Sequence, residues 1–175
     1  MKTILVTGSN GLLGQKITER ILQTKQFNLI ATSKGVNRYP IQEGYTYAEM
    51  DILNPEQVLQ VLQKFKPDAI IHTAAMTNVD TSHTQPELAR QLNVIAVQTL
   101  AEIAAAEGIQ LIHLSTDFIF DGADGPYDEE AEANPLSHYG KTKLEGEMVV
   151  KSSGAHWVII RTILVYGIVS DMSRS

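Results

Sequence analysis

Cysteine is absent from this 175-residue chain, which excludes disulfides, thiolate nucleophiles and zinc–thiolate centres. Basic residues are also scarce. Fourteen lysines and arginines stand against 20 acids, for a formal net charge of -6 and an isoelectric point near 5.3. No basic patch is evident, so no nucleic-acid partner is expected. No apolar run approaches the roughly 20 residues that a membrane span requires. The start, Met1-Lys2-Thr3-Ile4-Leu5-Val6-Thr7, runs straight into a strand pattern without a long apolar stretch and cleavage site. No membrane partner is therefore expected, and the expected compartment is the cytoplasm. The five histidines (His72, His83, His113, His138, His156) are scattered without ligand spacing, so no metal site is expected either.

What is present suits one soluble domain with a single large core. Hydrophobic residues make up 43%, and the length is that of an ordinary domain. Short apolar runs alternate with helical periodicity. Residues 2–7 read as a buried strand. Over 12–24, Leu12, Leu13, Ile17 and Ile21 recur at helical spacing. Strands are predicted over 27–32 and 46–50. Asn54-Pro55-Glu56 reads as a helix start, with Asn as cap, Pro in the first turn and Glu near the positive dipole end. That helix runs to about Phe65 and stops before Pro67.

Further strands are predicted over 68–74, 109–115 and 156–161. Helices are predicted over 86–107, closed by Gly108, and over 137–151, closed by Gly154. Strand and helix alternating at these lengths imply parallel βαβ units with right-handed crossovers. The predicted fold class is α/β: a doubly wound, Rossmann-type parallel sheet with helices on both faces. There is no internal repeat, low-complexity tract or linker. The one long irregular stretch, 121–135, is acidic and carries prolines; a solvated loop and a flap beside an active site both fit it. From Gly167 to Ser175 no periodicity is legible.

Gly8, Gly11 and Gly14 lie between the first strand and the first helix. In that context the first permits a tight turn, the second lets backbone approach a pyrophosphate, and the third lets helix pack on strand. The helix start offers free N–H groups and a positive dipole to phosphates. The loop therefore predicts a dinucleotide. An NAD site usually carries an acid after the second strand, to hold the ribose 2′-hydroxyl. Here the stretch is Ala31-Thr32-Ser33-Lys34-Gly35. Ser33 and Lys34, with Arg38 as a further donor, would accommodate a 2′-phosphate, so NADPH is expected in preference to NADH. Asp51-Ile52, after the third strand, stands where an adenine ring would be bracketed; capping of the loop is the competing role of Asp51.

Tyr139-Gly140-Lys141-Thr142-Lys143 places a phenol and an amine one helical turn apart. Taken with the glycine loop, the pair suggests a nicotinamide cofactor beside a proton donor. With these residues, and with His72-Thr73-Ala74-Ala75, Leu92-Asn93-Val94, Ser115 to Gly122, Tyr139 to Glu147 and Arg161-Thr162, the chain resembles the extended short-chain dehydrogenase/reductase family. Within it, the Ser-Thr-Asp-aromatic-x-Phe-Asp-Gly run followed by Tyr-Gly-Lys-Thr-Lys-x-x-Gly-Glu resembles the dTDP-4-dehydrorhamnose reductase family. The matching segments span nearly the whole chain in family order.

The resemblance implies NADPH-dependent reduction of the C4 carbonyl of a dTDP-4-keto-6-deoxy sugar. It makes Tyr139 the general acid and gives Lys143 two tasks, holding the nicotinamide ribose and lowering the tyrosine pKa. Thr116 orients the carbonyl and so also touches substrate. Val79 and Asp80 fall near the substrate, though a solvated Asp80 fits as well. The implied cofactor-binding set is Gly8, Asn10, Gly11, Leu12, Leu13, Gly14, Ser33, Lys34, Asp51, Ile52, Ala74, Ala75, Thr77, Asn93, Tyr139 and Lys143. Pairing into a homodimer through helices is common in the family, but no stripe here marks such an interface.

Two departures bear on function. Reductases of this family continue into a substrate-binding lobe that these residues do not supply, so the chain is expected to be the N-terminal, cofactor-binding part of a longer enzyme. After Arg161-Thr162, where many rhamnose-pathway reductases carry a tryptophan, this chain reads Ile163-Leu164-Val165. A relative with a similar aliphatic stretch, the regulatory beta subunit of methionine adenosyltransferase, acts by binding. The alternatives to a reductase are thus an NADP(H)-binding regulatory subunit without turnover, and a nucleotide-sugar epimerase or dehydratase.

Overall fold

The computed structural model describes residues 1–168. Six parallel strands form one sheet in the order β3-β2-β1-β4-β5-β6. They are β1 (Thr3–Thr7), β2 (Asn28–Ser33), β3 (Thr46–Glu49), β4 (Ala69–His72), β5 (Gln110–Thr116) and β6 (Trp157–Thr162). The order reverses beside β1, which produces the crevice at the carboxyl ends of β1 and β4 where such sheets take their ligands.

The inner strands β1, β2, β4 and β5 are largely buried, which explains why they read as apolar runs rather than alternating ones. Leu5 sits in register between Ile30 and Ile70, and Ile70 beside Leu111. These side chains share one core with Val58 and Leu62 of α2 (Pro55–Phe65), Leu100 and Ala104 of α5 (Ala96–Glu107), and Val150 of α6 (His138–Ser152). The other face packs Val6 and Leu29 against Ile21 of α1 (Leu12–Thr24). In the first of these cores, a single Leu5→Ala change would cost about 2–5 kcal/mol.

Helix ends follow the local chemistry. Asn54 caps α2 as expected, accepting from the backbone of Glu56 at 3.1 Å and Gln57 at 3.2 Å. Ser137 caps α6 through a 3.0 Å bond from Gly140 N.

Four details depart from the pattern predicted above. The run expected as one helix over 86–107 is α4 (Pro86–Arg90), then a π turn (Gln91–Ile95), then α5. A short helix, α3 (Val79–Thr84), precedes it where none was expected, and Pro86 at the first turn of α4 keeps the two apart. β4 ends at His72, not at 74, because Thr73 and Ala74 turn to Thr7: the Thr73 hydroxyl donates to the Thr7 carbonyl at 2.6 Å, and Ala74 N–H to the Thr7 hydroxyl at 3.4 Å. A 3-10 turn, Asp117–Ile119, follows β5. Of the tail, Gly167 and Ile168 carry no regular structure, and the rest of that expectation lies outside the described residues.

Candidate active site

The glycine loop closes β1 onto α1. Gly8 has φ +67°, a backbone state that other residues rarely adopt. A β-carbon at Gly14 would lie 2.2 Å from the Gly8 carbonyl oxygen, so the close packing of α1 on its own loop requires glycine. Gly11, the N-cap of α1, lends no side chain to the helix's first N–H groups, and no acid stands in the first turn. Leu12 and Leu13 open the helix, so these donors face the crevice with their positive dipole unopposed. That is the donor set a pyrophosphate requires, and the cradle is one that a β-carbon would fill. The residues present therefore fit a dinucleotide.

Asn10 was expected to touch cofactor; its side chain instead bridges two loops. Its Nδ2 donates to Val36 O at 2.9 Å, and its Oδ1 accepts from Arg38 N at 2.9 Å. The bridge holds the stretch after β2, with Ser33, Lys34 and Arg38, against the glycine loop. Gln15, a residue to which the sequence pattern assigned no role, is buried and donates to Asn10 O at 3.0 Å from within α1. Lys34 is 74% exposed and pairs with Asp51 at 2.8 Å. Asp51 also caps its own turn, accepting from Leu53 N at 3.0 Å. Burial pushes its carboxyl up, but Lys34 and that backbone bond hold it below the usual value. Of the two roles weighed for Asp51, the turn cap is the one present here, and neighbouring Ile52 is buried in the core.

At the end of β4, Ala74 and Ala75 lie half-buried beside the glycine loop, and a β-carbon on Gly8 would stand 2.8 Å from Ala74 N. Thr77 is exposed in the following loop, and Val79 and Asp80 form the first turn of α3, under the cap Asn78. Asn93, in the π turn, is fully buried. Its Oδ1 accepts from Met76 N at 2.9 Å, and its Nδ2 donates to Met76 O at 3.1 Å and to Thr142 Oγ1 at 3.1 Å. Every polar atom of this side chain is used inside the protein, and Asn93 ties the β4–α3 loop to α6.

The carboxyl end of β5 supplies Thr116, and α6 supplies Tyr139 and Lys143. Tyr139 is buried, with Phe118 edge-on at 5.8 Å between ring centroids. Burial pushes the phenol above its ordinary value, with the Thr116 hydroxyl pulling it down and the Asp117 carboxylate pushing it up. The expectation that Lys143 depresses this pKa is not what the geometry provides: burial dominates. Lys143 is itself 3% exposed and donates to Leu114 O at 2.7 Å. Burial pushes its ammonium down to about 8, against the pull of Glu147. Beneath it, His72 and His113 stack at 5.5 Å. Burial, then the charge of Lys143, holds His72 near 3 and His113 well below its usual value. The pair is neutral at pH 7.

The irregular stretch after β5 is anchored rather than loosely solvated. The Tyr127 hydroxyl donates to Asp121 Oδ1 at 2.6 Å, Asn134 Nδ2 donates to Asp121 Oδ2 at 2.8 Å, and Tyr127 stacks on Phe120 at 4.3 Å. A cleft of about 370 Å³ lies between this loop and the start of α6, lined by Asp117, Phe118, Phe120, Tyr127, Leu136 and Ser137. It opens beside Tyr139. A larger cleft, about 910 Å³, lies at the opposite ends of the strands between α1 and the β2–β3 loop, and none of the candidate site residues lines it.

The model of one protein family, the RmlD substrate binding domain, matches residues 1–172. The chain belongs to this family. Two kinds of relative are similar to the chain over almost its whole length. It is 38% identical over 176 residues to methionine adenosyltransferase 2 subunit beta of Xenopus laevis, covering 98% of this chain and 49% of that protein. It is 33% identical over 168 residues to dTDP-4-dehydrorhamnose reductase of Aggregatibacter actinomycetemcomitans, covering 95% of this chain and 53% of that one. Among solved structures, the dTDP-4-dehydrorhamnose reductase of Bacillus anthracis in complex with NADP superposes with a TM-score of 0.84, at 33% identity over 98% of this chain and 57% of its own. The orthologue from Clostridium acetobutylicum gives 0.82 at 38% identity, over 98% of this chain and 56% of its own. The RmlD family thus sits within the extended short-chain dehydrogenase/reductase superfamily, and this member spans about half the length of the relatives it matches.

Proposed function

We propose that this chain is the cofactor-binding and proton-donating part of an NADPH-dependent reductase acting on the C4 carbonyl of a dTDP-4-keto-6-deoxy sugar, with dTDP-4-dehydrorhamnose as the favoured substrate. The observation that carries this reading is the state of Tyr139: buried, its pKa raised, and next to Thr116 at the carboxyl end of β5. A phenol held protonated at pH 7 is a general acid for an oxygen that gains negative charge. The Thr116 hydroxyl, which here donates to Asp117 Oδ1 at 3.1 Å, would turn to polarise the same carbonyl. The ammonium of Lys143 has three donors, of which Leu114 takes one; the others serve ribose hydroxyls and lend positive field to the phenolate as it forms.

Gly8, Gly11 and Gly14, with the start of α1, would hold the pyrophosphate. Ser33, Lys34 and Arg38 would hold the adenosine 2′-phosphate, which favours NADPH over NADH. NADPH supplies the hydride when bound; the chain's own part is to orient the carbonyl, exclude water and deliver one proton from the Tyr139 Oη. Val79, Asp80 and the cleft beside Phe118 would line the sugar side.

A second reading has its own support. The similarity to methionine adenosyltransferase 2 subunit beta, and the aliphatic Ile163-Leu164-Val165, favour an NADP(H)-binding subunit without turnover. Following NADPH oxidation by the complete gene product with dTDP-4-dehydrorhamnose, with Tyr139→Phe as control, separates the two. Turnover abolished in the variant while NADPH binding persists supports the reductase. Tight NADPH binding without turnover on any keto-sugar supports the regulatory subunit, and cofactor recycled without net consumption would point to an epimerase or dehydratase.

A further inference from the structure

Lys143 carries a positive charge into the core without an ion-pair partner among the described residues. Its one hydrogen-bond acceptor is a neutral carbonyl, Leu114 O at 2.7 Å. A buried ammonium so placed loses its charge unless some field opposes the desolvation. The groups around it are few. β4 brings His72 and β5 brings His113, both neutral at pH 7. On α6, Tyr139 lies one turn before it and Glu147 one turn after, with Lys151 a further turn on. β6 brings Arg161. Asp117 acts on Tyr139. Of the groups that face Lys143, Glu147 is the anion.

Glu147 is fully buried, and its position four residues on sets it on the face of α6 that carries Lys143. A carboxylate stays ionised there only if it is paired and hydrogen-bonded. Arg161 does this with both oxygens: Nε donates to Oε1 at 3.0 Å and Nη2 to Oε2 at 2.8 Å, a two-point contact that fixes the carboxylate's orientation. Lys151 adds a weaker contact at 3.5 Å. Burial pushes the Glu147 carboxyl up, and the Arg161 bonds more than offset it. Arg161 is held in turn: Nη1 donates to Glu129 O at 2.9 Å, and its guanidinium lies 5.4 Å above the Phe120 ring.

We propose that Glu147 is the buried counter-charge of Lys143, a positioning residue locked in orientation by Arg161, whose field keeps the Lys143 ammonium protonated in a site that would otherwise neutralise it. The inference rests on the reading of Lys143 as the lysine beside the cofactor, and it names what sustains that lysine's charge.

The test is a titration of the Lys143 Cε and Nζ resonances in protein labelled with carbon-13 and nitrogen-15 lysine, recorded without cofactor. The wild-type midpoint is expected at about 8. Glu147→Gln should lower it by at least about one unit, the usual scale for losing a neighbouring opposite charge. Arg161→Met, which removes the two bonds that keep Glu147 ionised, should lower it as well. Glu147→Asp, which keeps the charge, should return it close to wild type. A midpoint unmoved in Glu147→Gln, or lowered as far in Glu147→Asp as in Glu147→Gln, overturns the proposal.

If Glu147→Gln alone does not fold, the double variant Glu147→Gln/Arg161→Met removes both charges together, a change that buried pairs tolerate well. A Lys143 midpoint below wild type in the double variant supports the proposal, and an unmoved midpoint overturns it. Adding NADPH to the same wild-type sample tests the reading beneath: a Lys143 resonance that ignores NADPH defeats the cofactor role while leaving the Glu147 result intact.

Discussion

Gly146 of α6 lies directly against the backbone of Asn93: a β-carbon there would come within 2.5 Å of the Asn93 carbonyl oxygen. The π turn and the helix bearing Tyr139 and Lys143 are therefore in backbone contact, and Asn93 turns that contact into a three-way bond among Met76, Thr142 and itself. π turns inside helices recur at functional sites, and here the turn brings one side chain to bear on two elements of the active site.

Gly146→Ala is expected to force the π turn and α6 apart, destabilising the fold by about 1–3 kcal/mol as overpacked cores do. Asn93→Ala leaves both Met76 backbone groups without their side-chain partner and should cost about 1–3 kcal/mol. Both variants should weaken NADPH binding by displacing the β4–α3 loop and α6. Urea unfolding and fluorescence titration with NADPH check the two effects on one sample; unchanged affinity in both variants would contradict the placing role of Asn93.

Lys34→Ala should cut the preference for NADPH over NADH, mainly by weakening NADPH, with little effect on stability. The Lys34–Asp51 pair is exposed on the lysine side, and such pairs contribute about 0–1 kcal/mol. Dissociation constants for the two cofactors, measured in wild type and variant at one ionic strength, decide it. A preference unmoved by the change would shift the assignment to Ser33 and Arg38.

Acid should destabilise this protein through its buried histidines. Both rings have folded-state pKa values depressed from 6.5, His72 to about 3. Above pH 6.5 both states are neutral and the full stability is present. As pH falls from 6.5 toward 3 the unfolded chain takes up protons that the folded one refuses, and stability drops progressively. His113→Phe keeps the stacked ring on His72 but removes one site, so the melting temperature should decline less steeply between pH 6.5 and 4. Parallel curves for the two proteins would defeat this account.

Lys143→Met should raise stability while abolishing the proposed function. A lysine held at about 8 in the folded state against 10.5 outside it costs on the order of 3 kcal/mol at pH 7, and an apolar chain of similar length avoids that cost. Because the unfolded state holds its proton up to higher pH, wild-type stability should rise between pH 8 and 10.5 and the variant's should not. Thermal unfolding of both proteins at pH 7 and 9.5 tests the sign.

Much of this architecture is legible in the sequence because its signals are local. The glycine loop, the Asn54 cap, and apolar runs of strand length each depend on neighbours in the chain. The Tyr139–Lys143 spacing is equally local. Three features escape such reading. The π turn has the composition of an ordinary helix, and only its contact with Gly146, more than 50 residues on, distinguishes it. Asn10 and Asn93 are polar residues in plausible ligand positions, and that their polar atoms are spent on Val36, Arg38, Met76 and Thr142 is a tertiary fact. Glu147 and Arg161 stand 14 residues apart on different elements; the visible hint was a charge set among small and aliphatic neighbours in each case. The fall in the Tyr139 pKa expected from Lys143 failed for a related reason, since burial of the phenol cannot be read from spacing.

The Asn10 bridge also bears on how cofactor preference evolves. One side chain ties the glycine loop to the segment proposed to hold the adenosine ribose, so the two cannot drift independently. Substitutions at Lys34 or Arg38 will be felt at the glycine loop, and their effects will not add to those of a change at Asn10. Routes from one dinucleotide to the other then depend on the order in which mutations arrive, and Asn10 is the position at which those routes meet.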